Sequence, residues 1–206
     1  MHVESLRSRG GALLVVCIGL LLTASCAAEP VQPPPPGRQE LYDFTSLEEM
    51  VATSDAVIEG TVLSAEPGRV VGSDSDPVQF VQLNLKVDEL LFGKLPVLGK
   101  DQTIMLEESA GSVEGSGDLQ GVYGSAAGDH GIYFLGWKDE TPFYYLINSE
   151  GRFLVQDGKV VALNKLDEWA LDLERLSPDA LKSRILEAAD AARAGEVAPV
   201  APGLDY

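Results

Sequence analysis

Between positions 56 and 163 the chain is a succession of short segments rich in β-branched and aromatic residues, each closed off by Gly, Pro, Asp or Ser. That punctuation leaves no room for a long helix there and dictates a fold dominated by sheet. Residues 56–63 (AVIEGTVL) form the first strand-like segment. A longer one carries Val78, Phe80, Leu83, Leu85 and Val87, and the skip between Phe80 and Leu83 predicts a bulge. Residues 103–106, 131–137 and 143–147 follow. Segments 152–156 and 159–163 flank Asp157-Gly158, the pair that most strongly specifies a two-residue hairpin turn.

Helical signals sit on either side of this sheet region. Ser46-Leu47-Glu48-Glu49 is a capping box, with Leu47, Met50 and Val51 on one side of a short helix ending near Ser54. Leu166, Trp169, Ala170, Leu173 and Leu176 recur at helical spacing. Ser177-Pro178-Asp179 then supplies a cap, a first-turn proline and a first-turn acid, and Gly195 is the stop for a helix lined by Leu181, Ile185, Ala188, Ala189 and Ala192. The expected fold is mainly β within the α+β class. It is a small antiparallel OB-like barrel of about seven strands with a short N-terminal helix and two C-terminal helices, since closure removes exposed edges. One domain spans 41–195, and 196–206 reads as a loose tail.

The first 25 residues have another purpose. Arg7 and Arg9 precede an apolar run over 10–22, and small residues then lead to Cys26. This is the layout of an export signal, and the run is shorter than the ~20 residues that cross a bilayer. Leu22-Thr23-Ala24-Ser25-Cys26 resembles the lipobox of bacterial lipoproteins, with Thr23 where Leu is usual. The resemblance implies cleavage before Cys26 and a diacylglycerol on its thiol, a firm anchor because more than one acyl chain is held. It also implies an extracytoplasmic place on the outer leaflet, or on the outer membrane in a two-membrane cell, where Ala27 favours that destination. Residues 26–40 become the anchor and a tether whose four consecutive prolines favour a stiff, hydrated polyproline helix.

Cysteine count and charge exclude several functions. With Cys17 discarded and Cys26 acylated, no thiol remains for catalysis, a disulfide or metal. A net charge of −17, from 32 acids against 15 bases, argues against a nucleic-acid partner, which requires clustered cations along the phosphates. The same charge makes the body repel anionic lipid, so the tether reads as a spacer.

Residues 54–62 (SDAVIEGTV), then 85–93 (LKVDELLFG), then Gly99 and Ile104 resemble a recurring module of exported bacterial proteins. More remotely they resemble the OB-like barrel of netrin-type and metalloproteinase-inhibitor domains. The resemblance covers about half of the domain and implies a barrel more than an activity. The inhibitor mechanism needs a free N-terminal Cys amine, which a lipidated Cys26 does not offer. Gly60 within a strand suits a tight bend, and Gly93 a left-handed turn.

Few residues carry chemistry. His130 is the one histidine left after cleavage, and a Ser125–Asp129–His130 hydrolase set is the remote catalytic alternative. A zinc centre normally leans on several His or Cys, which the chain lacks. The glycine-rich stretch 111–121 has the wrong spacing for a dinucleotide loop, and no helix signal follows it. Between Asp101 and Trp137 there is no Lys or Arg. Asp74 and Asp76 in one expected loop (72–76), and Glu107, Glu108, Glu114, Asp118 and Asp129 in or near another (107–130), are the candidate ligands for Ca²⁺. Tyr133, Trp137 and Tyr144 are candidates for lining a ligand groove. The favoured reading is a non-enzymatic envelope lipoprotein that offers loops 66–77 and 107–130 to a protein or glycan, with a Ca²⁺-dependent binding module as the alternative.

Overall fold

Ser46 caps the first helix as its capping box predicts. Its hydroxyl accepts the Glu49 N–H at 3.2 Å, while the Glu49 carboxylate reaches back one residue further than expected, to the N–H and hydroxyl of Thr45. The computed structural model describes residues 41–73, 76–111, 125–162 and 168–203. Helix α1 (Leu47–Thr53) leads into β1 (Ala56–Ser73) and β2 (Asp76–Gly93), and a 3-10 turn (Lys100–Gln102) precedes β3 (Thr103–Gly111). Strands β4 (His130–Trp137), β5 (Tyr144–Leu146), β6 (Arg152–Gln156) and β7 (Lys159–Ala162) follow, then α2 (Glu168–Leu173) and α3 (Pro178–Ala194). The chain is therefore mainly β, with seven strands and three helices among the described residues.

The strands lie in the order β1-β2-β3-β5-β4-β6-β7, and β1 also pairs with β4. Five strands thus close into a ring, with β6 and β7 continuing from β4 as a flap. All pairings are antiparallel except that of β3 with β5, which meet in parallel at Leu106 and Tyr144. Glycine enables two close approaches. A Cβ on Gly60 would stand 2.7 Å from the Lys86 carbonyl oxygen, and Gly93 has φ +74 with the Asp55 carbonyl where a Cβ would go.

Two apolar clusters follow from strand alternation. Ile58, Val62, Leu83, Leu85, Leu106, Tyr133, Leu135 and Tyr144 come from all five ring strands and fill the ring. Val57, Ile132, Phe134 and Phe153 face the other way and pack with Met50, Val51, Leu181, Ile185 and Ala189 of the helices. β4 is apolar almost throughout because both of its faces are covered.

The first two strands are far longer than expected. Residues 66–73, read as loop from Pro67, Gly68 and Gly72, continue β1 against β2 as far as Ser73–Asp76. Pro67 is tolerated because β4 pairs with β1 only as far as Thr61, so the rest of β1 has one described neighbour. Beyond Gln79, where β3 ends its pairing, the two strands project as a two-stranded arm. The bulge in the β2–β3 pairing falls between Gln79 and Phe80 rather than after Phe80, so Val81 and not Phe80 joins the inward series.

The C-terminal segments match their signals. Ser177 caps α3 by accepting the Ala180 N–H, Pro178 opens it, and Gly195 ends it at φ +73. Residues 196–203, expected to fray, return along α1. Val200 N–H donates to the Thr53 hydroxyl and Gly203 N–H to the Leu41 carbonyl, each at 2.9 Å. No helix among the described residues is long and apolar enough to cross a membrane.

Candidate functional site

The outer face of the ring carries a polar network centred on His130. β4 and β1 place His130 opposite Thr61, and β2 places Lys86 beside it. One ring nitrogen of His130 lies 3.2 Å from a Glu59 carboxylate oxygen, and the other 3.1 Å from the Thr61 hydroxyl and 3.7 Å from Asp88. Lys182 reaches in from α3, donating to Glu59 at 2.8 Å and also to Glu89. The Glu59 and Glu89 hydrogen bonds hold the Lys182 ammonium well above its ordinary range. Asp88 is held below the usual carboxylate range, chiefly by its hydrogen bond from Lys86. This network ties α3 to β1, β2 and β4 at a half-exposed rim.

A second polar cluster lies inside the ring. Arg152 on β6 and Glu108 on β3 meet at 2.9 Å, with side chains 1% and 2% exposed. The other Glu108 oxygen accepts the Ser125 hydroxyl at 2.8 Å. Tyr133, opposite Arg152 across the β4–β6 pairing, is fully buried, and its hydroxyl has no hydrogen-bond partner among the described residues. Burial pushes its phenol well above the usual tyrosine range.

This arrangement separates the residues of the remote hydrolase set. Ser125 is buried on Glu108, His130 faces outward to Glu59 and Thr61, and Asp129 accepts the Ala126 N–H to close its own turn. Of the acidic candidates, Glu107 and Glu108 stand in β3 and not in a loop. Glu107 pairs with Arg69 of β1 at 2.7 Å, and that arginine also lies over the Phe80 ring. Both carboxylates are matched by guanidinium groups, the partner preferred for planar carboxylates. Asp76 belongs to β2, while Asp74, Glu114 and Asp118 fall outside the described residues, as do Cys26 and residues 27–40. Among the described residues no group of three or more His, Cys, Asp or Glu converges as a metal site would.

The aromatic candidates divide as well. Tyr133 and Tyr144 are core residues. The Tyr144 hydroxyl donates to the Val97 carbonyl at 3.0 Å and accepts the Val97 N–H at 3.1 Å, so it pins a loop. Trp137 is half-buried and packs on Tyr144 with ring centroids 4.8 Å apart. The sequence offered no way to pair Glu59, Asp88 and Lys182 with His130, or Arg152 with Glu108. Those partners lie 42 to 123 positions apart, and only strand order and helix docking bring them together. No family model matches this chain, and no curated protein matches it.

Proposed function

We propose that this protein is an exported lipoprotein, acylated at Cys26, whose folded part is a non-enzymatic binding module of the cell envelope. The five-strand closure, with β3 set beside β5 out of sequence order, supports an OB-like barrel as its scaffold. The observation that carries the binding reading is the arm. Val70, opposite the last β2 residue that pairs with β3, and Val71, the first residue past it, are 61% and 45% exposed at the base of this ribbon. Aliphatic side chains held out on a ribbon, in a chain this acidic, suit contact with a partner more than folding of the chain itself.

The partner is a protein or glycan of the envelope, met by the arm. A photo-crosslinking amino acid placed at Val70 should give adducts in intact cells, while the same group at Lys159, on the exposed β6–β7 turn, should not. Equal yields at the two positions, or none at Val70, would overturn the binding reading. Radiolabelled palmitate should enter the wild type and not Cys26→Ala, and incorporation into both would remove the anchor.

A further inference from the structure

Residues 94–100 read Lys-Leu-Pro-Val-Leu-Gly-Lys, an apolar stretch bracketed by two lysines with no acid inside it. The chain has about twice as many acids as bases, so this local reversal stands apart. Leu95 packs against the ring interior. Val97 and Leu98 point to solvent at 44% and 46% exposure, and Lys94, Pro96 and Lys100 are exposed as well.

The loop is rigid as well as apolar. Both backbone polar groups of Val97 are taken by the Tyr144 hydroxyl, Lys94 N–H donates to the Asp55 carbonyl at 3.1 Å, and Gly99 N–H to the Thr103 carbonyl at 2.7 Å. It ends on Asp101 and Gln102, successive non-glycine residues at φ 60, a conformation costing of order 1 kcal/mol or more at each. A pair of exposed aliphatic residues is thus held in a fixed presentation.

Its place in the fold supplies a second argument. The Lys94–Asp55 bond sets the loop beside the junction of α1 and β1, where the chain from the N-terminal side enters the ring. The arm lies at the opposite end of β2, whose 18 residues span up to ~60 Å if straight.

We propose that loop 94–100 docks on the lipid surface to which Cys26 is anchored. Val97 and Leu98 enter the boundary between headgroups and acyl chains, and Lys94 and Lys100 meet anionic headgroup phosphates. The proposal rests on the lipoprotein reading above. Two aliphatic side chains and two lysines are too few to hold a free protein on a membrane. On a chain already tethered there, the local lipid concentration makes so small a contact effective. The contact offsets the repulsion of the acidic body at one point and turns the arm away from the bilayer.

The thiol economy of the chain gives a direct test. With Cys26 acylated, Leu98→Cys and Val70→Cys each introduce the one labelling site for an environment-sensitive fluorophore. The full acylated chain is reconstituted in phosphatidylcholine vesicles containing about one quarter phosphatidylglycerol, with a shallow nitroxide lipid as quencher. The label at 98 should be quenched roughly twofold or more over the label at 70. The difference should shrink in Lys94→Glu/Lys100→Glu and in vesicles of phosphatidylcholine alone. Equal quenching at 98 and 70, in protein that floats with the vesicles, overturns the docking and leaves the anchor standing. A loop that serves a protein partner gives that same result in these protein-free vesicles. Failure of the wild type to float with the vesicles overturns the anchor itself and this proposal with it.

Discussion

The Glu108–Arg152 pair and the Lys182–Glu59–His130 network both join elements far apart in the chain, yet one is dry and the other wet. Inside the ring the ion pair is cut off from solvent, with side chains 1–2% exposed. At the rim, His130 is 36% exposed and Glu89 49%. The same kinds of group therefore carry different weights. A buried pair has already lost its hydration, so removing one member strands a charge, whereas a rim network trades its bonds for water at little cost.

The largest expected effect follows from the dry pair. Arg152→Met leaves Glu108 buried without its guanidinium and should lower stability by about 3–5 kcal/mol in urea unfolding. The double variant Arg152→Met/Glu108→Leu should recover most of that loss. A single-variant loss below ~1 kcal/mol would break the contrast with the rim. Tyr133→Phe removes the hydroxyl that has no partner among the described residues, and should leave stability unchanged or raise it by up to ~1 kcal/mol. A marked loss on the same urea curve would mean that the hydroxyl has a partner. At the rim, Lys182→Met should cost under ~1 kcal/mol, and the cost should fall further in molar salt because exposed charges are screened.

The smallest effects are those of pH. Lys182 is raised from its ordinary 10.5 by Glu59 and Glu89, so its bonds stabilise the fold below about pH 10.5. That contribution is lost as pH climbs through the raised value. Asp88 is lowered from 3.8, so its contribution is present above about pH 3.8 and disappears as pH falls through the lowered value. Unfolding midpoints measured across both ranges should show each loss in the wild type. The alkaline one should be smaller in Lys182→Met, where the buried Tyr133 phenol, also raised, sustains the remainder.

Local chemistry was legible where a few neighbouring residues decide the outcome. Ser46 and Ser177 cap their helices as expected, Gly195 ends α3, and Asp157 and Gly158 take φ of 51 and 72 in the β6–β7 turn. All seven strand segments were visible, because each pairs β-branched or aromatic residues with a turn signal at its end. The length of the arm was not, since Pro67, Gly68 and Gly72 read as loop residues. They persist in strand because an outer strand needs no second row of hydrogen bonds there. Nor was the character of Glu107 and Glu108 legible. Two adjacent acids near a glycine-rich stretch look like a solvated loop, and the arginines that neutralise them come from β1 and β6. His130 was singled out, but its neighbours Glu59, Asp88 and Lys182 are set by ring closure and helix docking, which no local pattern encodes.

The central claim is that an acidic folded body is held outside the cell by lipid on Cys26. Mass spectrometry of the N-terminal peptide of protein purified from its native cells measures this directly. The account predicts a peptide beginning at Cys26 with a diacylglycerol on the sulfur. A peptide that begins elsewhere, or that begins at Cys26 with a free thiol, would contradict it.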